Sequence, residues 1–241
     1  MAPAGGVSGR GGTIRAVLRW ASRLVLGFVV LSVLSVLLLR FVAPPVTPLM
    51  VLRLAEGALH GSWVGADQRW VALDSVSPAL LRSVIAAEDA RFFTHHGVDF
   101  TELERARDYN ERQRGRRVRG ASTITMQCAR STFLWTDRTY LRKSLELYFT
   151  GLLELLWGKR RILEVYVNVI EWGDGVYGIE AASQRSFGVP AARLSPTQAS
   201  LLAAVLPSPR RWSASAPSTY VRTRAARIVP RARQVDLRPL G

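Results

Sequence analysis

Hydrophobic positions along the chain fall into three regimes. The first is continuous: Leu24 to Leu39 is a run of sixteen residues without a charge, rich in Leu and Val. As a helix rising about 1.5 Å per residue it covers roughly 24 Å, a little short of the ~30 Å hydrocarbon core of a bilayer. Arg40 can snorkel to headgroups and Phe41-Val42-Ala43 prolong the apolar character, so the pattern predicts a membrane anchor over 24–43. Prolines at 44, 45 and 48 stop that helix. The second regime, residues 44–76, carries mixed signals and reads as a short juxtamembrane segment containing Trp63 and Trp70. The third begins at Ser77 and is helical in period.

Ser77-Pro78 predicts an N-cap followed by proline at the first helical position, opening a helix from Pro78 to about Ala87. Asp99 with Glu102 three residues later has the spacing of a second N-terminus. Arg105 to Arg119 is polar, strongly basic and interrupted by Gly115, and reads as a mobile loop. Thr139 to Trp157 is the longest helical stretch, with Leu141, Leu145, Tyr148, Leu152 and Leu155 at helical spacing. A shorter helix is expected over Arg161 to Ile170, followed by a tight turn region at Gly173, Gly175 and Gly178. Ser195-Pro196 with Gln198 forms a capping box for a helix through Leu206, closed by Pro207 and Pro209. Few segments alternate with period two, so a large sheet is not expected. The organisation read from these signals is a basic N-terminus (1–23), the anchor (24–43), one compact, mainly α domain (46–230) and a basic tail (231–241).

Charge sharpens this picture. The 241 residues hold 33 basic and 18 acidic side chains, a net charge of +15. Only Lys143 and Lys159 are lysines, so the surplus is arginine. Such a surplus calls for a polyanionic partner: nucleic acid, anionic lipid or a phosphate-bearing substrate. Arg10, Arg15, Arg19 and Arg23 precede the apolar run and no acid occurs before Glu56, which places the N-terminus in the cytoplasm and the rest outside it. A cleaved signal peptide shares the charged start, but the apolar stretch is long and no clear A-x-A site follows it. With those four arginines and Arg40 set aside, ten positive charges remain on the exported part, suited to anionic headgroups or a lipid-linked phosphate. A nucleic-acid partner conflicts with this topology. The single cysteine, Cys128, excludes an internal disulfide and any multi-cysteine zinc site.

Three clusters can carry chemistry. Glu88-Asp89 closes an apolar helix ahead of Phe92 and Phe93, where desolvation raises a carboxyl pKa toward acid–base use. The plainer reading pairs Glu88 with Arg91 on a helix surface and leaves Asp99 as a cap. Gly120-Ala121-Ser122-Thr123 with Gln127 and Arg130 can bind a phosphate through backbone N–H and guanidinium groups, though the same residues are ordinary loop-to-helix chemistry. Arg142-Lys143-x-x-Glu146 places a cation and a carboxylate on one helix face. His95 and His96 lack metal-ligand spacing to another His or Cys, so no metal site is expected and at least one of them reads as structural. The glycines at 173, 175 and 178 do not follow the dinucleotide-binding order.

Taken in order, these segments resemble peptidoglycan glycosyltransferase family 51. The resemblance rests on Glu88-Asp89-x-x-Phe92-x-x-His95-x-Gly97-x-Asp99, Gly120-x-Ser122-Thr123-Ile124-Thr125-x-Gln127, Arg142-Lys143-x-x-Glu146 and Lys159-x-x-Ile162-Leu163-Glu164-x-Tyr166-x-Asn168. It continues through Gly173–Gly178, Ala181-Ala182 and Phe187-Gly188, covering about residues 50 to 229. A single anchor and no following transpeptidase domain fit a monofunctional member from Gram-negative bacteria.

The resemblance implies a lysozyme-like, mainly α glycosyltransferase domain at the periplasmic face of the inner membrane, polymerising lipid II into glycan strands. It implies β-1,4 bond formation with inversion at MurNAc C1 and release of undecaprenyl pyrophosphate. Glu88 would be the general base and Glu146 the second carboxylate. Ser122, Thr123, Gln127, Arg130, Arg142 and Lys143 would bind the donor sugar and pyrophosphate. Asp89, Phe92, His95, Gly97 and Asp99 would support the motif. No cofactor is required by this reading, and a divalent Mg or Mn ion has no ligand cluster to indicate it. The partners implied are lipid II, the growing glycan chain, membrane phospholipids and other cell-wall synthesis or division proteins. Met126 stands where the family usually has glutamine, and Arg130-Ser131 where it has Lys-Asn. A lysozyme-like hydrolase or lytic transglycosylase, and a catalytically silent lipid II binder, are the remaining readings.

Overall fold

The computed structural model describes residues 9–59, 61, 65–114, 118–137 and 139–241. The chain parts between Val42 and Ala43 into two units. The N-terminal unit is one helix, α1 (Gly9–Leu39), whose stretch Arg15–Leu39 is long and apolar enough to cross a membrane. Leu24, Val25, Leu26, Leu31, Leu34 and Leu38 stand exposed on it, a surface that water does not favour and lipid covers without cost. The helix thus begins well before the uncharged run and takes in Arg15, Arg19 and Arg23.

The second unit is mainly helical, as the sequence pattern leads one to expect. Its helices are α2 (Pro48–Leu59), α3 (Pro78–Glu88), α4 (Phe100–Arg112), α5 (Ile124–Phe133), α6 (Tyr140–Leu156), α7 (Lys159–Val169), α8 (Ile179–Phe187), α9 (Pro196–Val205) and α10 (Thr219–Ala232). Helices α3, α9 and α10 pack against one another, and α5 packs on both α6 and α7. Three short strands, β1 (Asp67–Gln68), β2 (Glu171–Gly173) and β3 (Val176–Tyr177), form a sheet in the order β1-β3-β2. β1 runs parallel to β3, and β2 pairs antiparallel to β3 across a register irregularity. The turn region expected at Gly173–Gly178 is therefore a small hairpin. Phe92, Leu80, Ile85, Ile124, Leu153, Ile162, Leu163, Tyr166, Ile179 and Leu202 are buried essentially completely and form the core.

Capping chemistry explains most boundaries. Asp99 accepts the Glu102 N–H at 3.0 Å, Thr139 accepts from Arg142 N–H, and Ser195 with Gln198 makes the full capping box. Ser77 holds the N-cap position, but its hydroxyl donates to Leu194 O at 2.8 Å, tying α3 to the loop before α9. Fully buried Asn168 donates to Val71 O and Glu164 O and accepts from Val71 N–H, fastening the segment after β1 to α7.

Three sequence expectations are refined. Arg105–Arg112 is helix, not loop: α4 buries only Ala106 and is held by its Asp99 cap and by the ion pairs Arg105–Glu102 and Arg107–Glu111, 2.6 and 2.9 Å. A helix with so narrow an apolar face leaves no hydrophobic period to read. Gly115 lies outside the described residues. Segment 44–76 contains a regular helix, α2, seated by Leu49 and Met50 against Tyr177. At the other end α10 runs to Ala232, past the boundary at 230. Leu240 is then buried in a 3-10 turn, its carbonyl accepting from Arg160 Nη1 at 3.1 Å.

Candidate active site

Glu88 is the last residue of α3, and its side chain is 12% exposed. Three elements meet it. From α5, Gln127 Nε2 donates to Glu88 Oε2 at 3.0 Å, while Gln127 Oε1 accepts from the Tyr166 hydroxyl of α7 at 3.2 Å. From α10, Arg224 Nη2 lies 3.6 Å from Glu88 Oε1. Burial pushes the Glu88 carboxyl above its usual value, with the adjacent Asp89 adding to the rise; the Gln127 hydrogen bond and the charges of Arg224 and Arg130 pull it back. The result is a carboxylate whose basicity exceeds that of a solvated glutamate. The Glu88–Arg91 surface pair is not what forms: Arg91 Nε instead faces Asp99 Oδ2 at 3.4 Å.

Glu88 opens on a cavity of about 590 Å³. Asp89, Arg91, Asp99, Ser122, Thr123, Gln127 and Arg224 share its walls, together with the Arg119–Ala121 backbone stretch and Arg231. The Thr123 hydroxyl is already spent: it donates to Gly97 O at 2.5 Å and accepts from Met126 N–H as the N-cap of α5. Met126 is 4% exposed and faces the core, so the departure from glutamine there falls outside the cavity wall.

The loop after Glu88 folds back on itself and frames the site. Asp89 Oδ1 and Oδ2 lie 2.9 and 3.0 Å from His95 Nε2, and Oδ2 also accepts the Ile124 N–H at 3.0 Å, at the first turn of α5. Lys159 Nζ donates to His95 O and to Glu154 Oε1 and sits 4.6 Å over the ring of fully buried Phe92. Gly97 has φ +86°, and a Cβ there would stand 2.6 Å from Thr150 Cγ2 of α6. The loop thus runs from Glu88 to the first turn of α5, the helix that carries Gln127.

This folding also brings Asp89, His95 and Asp99 together, with potential ligand atoms within 4.8 Å of one another. The sequence gives no hint of such a cluster, because the three are spread over a turn and meet only when it closes. Both Asp89 oxygens already accept N–H groups, and Asp99 receives the Glu102 N–H and the Arg91 cation. The charges that a metal would neutralise are thus largely compensated by protein donors, although His95 Nδ1 and Asp99 Oδ2 are buried without a hydrogen-bond partner.

Glu146 lies on α6, 2% exposed, and is clamped by Arg142 and by Lys143 Nζ at 2.6 Å. Arg142 is itself buried while Lys143 is half-exposed, so this is a desolvated Arg142–Glu146 pair joined by a second cation rather than the surface helix pair that spacing alone suggests. Arg142, Lys143 and Glu146 do not line the Glu88 cavity. Helix α5 joins the two groups, with Gln127 on Glu88, Arg130 near enough to depress the Glu88 pKa, and Phe133 stacked on Phe149 of α6 at 4.6 Å. Arg224 is the site residue that sequence reasoning misses. Only its place in a run of arginines on the C-terminal helix marks it in the sequence.

Comparison with known proteins agrees with this architecture. Residues 56–233 match the family model described as Transglycosylase. The chain is 54% identical over 215 residues to a protein of Rhodospirillum centenum named biosynthetic peptidoglycan transglycosylase, covering 89% of this chain and 90% of that one. Proteins of the same name from Caulobacter vibrioides and Xanthomonas campestris pv. campestris are 53% identical over 196 residues and 50% over 222 residues. Those two matches cover 81% and 92% of this chain, and 82% and 89% of the relatives. A model spanning most of the chain and relatives this similar over nearly their whole length establish that the chain belongs to the transglycosylase family, a family of glycosyltransferases.

Proposed function

We propose that this protein polymerises lipid II into peptidoglycan glycan strands, with Glu88 as the general base. The observation that carries the reading is the Glu88 environment: a desolvated carboxylate of raised pKa at the wall of a cavity, held by Gln127 and faced by Arg224. In the step proposed, the 4-hydroxyl of the acceptor GlcNAc attacks C1 of the lipid-linked MurNAc. The hydroxyl proton passes to Glu88, the new C1–O bond forms with inversion, and the C1–O bond to the undecaprenyl pyrophosphate breaks. A base in this position supplies about 10²- to 10⁴-fold.

The leaving pyrophosphate needs fixed cations, and arginine offers bidentate geometry for them. Arg130 on α5 and the Arg142–Lys143 pair on α6 are the candidates. Ser122 and the backbone around Gly120 line the cavity itself. Glu146 serves in this scheme to hold Arg142 and Lys143 charged and oriented. Asp89, Phe92, His95, Gly97 and Asp99 position the base. The apolar run of α1 and the arginines in its N-terminal half support a single-pass inner-membrane protein with a cytoplasmic N-terminus and the second unit in the periplasm. Such an anchor suits a substrate and product that both stay in the bilayer.

The test is to incubate the purified protein with labelled lipid II and resolve the products by size. Polymer is expected from wild type and at least 100-fold less from Glu88→Gln. Shortening of added glycan strands in place of growth would support a hydrolase, and an active Glu88→Gln protein would remove Glu88 from the mechanism.

A further inference from the structure

The loop before α10 and the first turn of α10 present an aromatic pair that the proposed chemistry at Glu88 does not use. Tyr220, in the first turn of α10, is 60% exposed, and its ring lies 5.1 Å from the half-buried ring of Trp212. Large aromatic side chains left at the surface are informative, since burial would otherwise favour them. The loop holds Trp212 in place: its N–H and that of Arg211 both donate to Ser208 O, and Ser213 Oγ accepts the Ala216 N–H.

The two rings border different hollows. Tyr220 lines one of about 360 Å³ whose wall shares Ala87, Arg224 and Arg231 with the Glu88 cavity. Trp212 lines another of about 240 Å³ containing Asp174, Arg185, Arg210 and the hydroxyls of Ser213 and Ser215. The shared wall links Glu88 and Arg224 to Tyr220, and the ring contact links Tyr220 to Trp212 and its polar hollow. Tyr220 stands one helical turn, about 6 Å, before Arg224 on α10.

Resting on the function proposed above, we infer that this surface is a subsite for the growing glycan strand. The apolar face of a pyranose ring stacks on an aromatic side chain, while its hydroxyl and N-acetyl groups need donors and acceptors at the ring edge. Trp212 and Tyr220 supply the first, and Asp174, Arg210 and the two serines supply the second. The surface takes in three hollows rather than one, so we assign it to the polymer rather than to a single lipid II. Its role is to retain the strand between additions.

The experiment compares wild type with a Trp212→Ala/Tyr220→Ala double variant in two assays. The first follows lipid II consumption, separating the initial rate of first-bond formation from the final strand length. The second measures binding of a soluble octasaccharide of alternating GlcNAc and MurNAc, free of lipid and peptide. The double variant is expected to form the first bond within twofold of the wild-type rate, to make strands at least threefold shorter, and to bind the octasaccharide at least tenfold more weakly. Trp212→Phe, which keeps a ring, is expected to restore length and binding. Unchanged length and affinity in the double variant overturn the proposal. So does an equal loss of first-bond rate and length together with a lowered unfolding temperature, because a loop staple alone would do that. If wild type makes no polymer, the proposed function falls, and octasaccharide binding still decides whether the aromatic pair holds glycan.

Discussion

Glu88 is poised between opposing influences, and their signs give its pH behaviour. Burial outweighs Gln127, Arg224 and Arg130, so the carboxyl titrates above its ordinary value of about 4.3. The acid limb of the rate profile is therefore expected above that value. Removing the Gln127 donor removes an influence that lowers the pKa, so Gln127→Ala is expected to move the limb to higher pH, read from kcat against pH. Stability runs the other way. A group whose folded pKa is raised binds its proton more tightly in the folded state, so stability falls as pH rises from the unfolded value through the folded one. Glu88→Gln escapes that loss. It is expected to abolish polymerisation yet melt higher than wild type at pH 7, with the gap closing below about pH 4. A variant that is inactive and less stable at pH 7 would show that Glu88 is held mainly by its partners. The sequence makes Glu88 and Gln127 legible because each sits inside a dense local motif. It hides Arg224, whose proximity to Glu88 exists only once α10 packs beside α3.

The elements divide by how their stability is written. Helices closed by a side-chain cap, such as α4 at Asp99 and α9 at Ser195, announce their starts in sequence, because the capping bond is local. Helices lacking an apolar period do not announce their extent. The arginine-rich half of α4 reads as loop, although i,i+3 and i,i+4 ion pairs carry it as helix to Arg112. α2 is missed for a related reason: its seat, Leu49 and Met50 on Tyr177, is a contact across most of the chain. Gly97 shows how tightly the loop after α3 is fitted to α6. Gly97→Ala combines a left-handed φ with a Cβ 2.6 Å from Thr150 Cγ2, and is expected to cost roughly 2–4 kcal/mol in denaturant unfolding. Thr150→Ser in that background removes the clashing methyl and keeps a hydroxyl for the bond to Glu146 O. It is expected to recover the packing part and leave the backbone part, a positive coupling in the double-mutant cycle. Strict additivity would mean that the methyl is not what the glycine avoids.

For the molecule as a whole, the division at Val42–Ala43 separates the apolar helix α1 from the unit that carries Glu88 and the groups around it. The residues after Arg40 retain ten of the fifteen surplus positive charges, and the second unit has its own core and its own caps. Its surface is thus attracted to anionic headgroups, but that attraction is screened over about 10 Å at 0.1 M salt. Under the proposed function, α1 would hold the second unit at the bilayer whatever the ionic strength, which amounts to a high effective concentration of lipid-embedded substrate. A fragment of residues 43–241 is accordingly expected to unfold cooperatively and to bind vesicles containing anionic lipid in low salt. At 0.5 M salt its polymerisation of vesicle-embedded lipid II is expected to fall at least tenfold below the full chain. In detergent micelles, where substrate diffuses to enzyme, the two are expected to match within about threefold, because the groups around Glu88 all lie after Val42. Equal activity on vesicles at high salt would show that the second unit holds the membrane without its helix. A fragment inactive in micelles as well would instead tie the chemistry itself to α1.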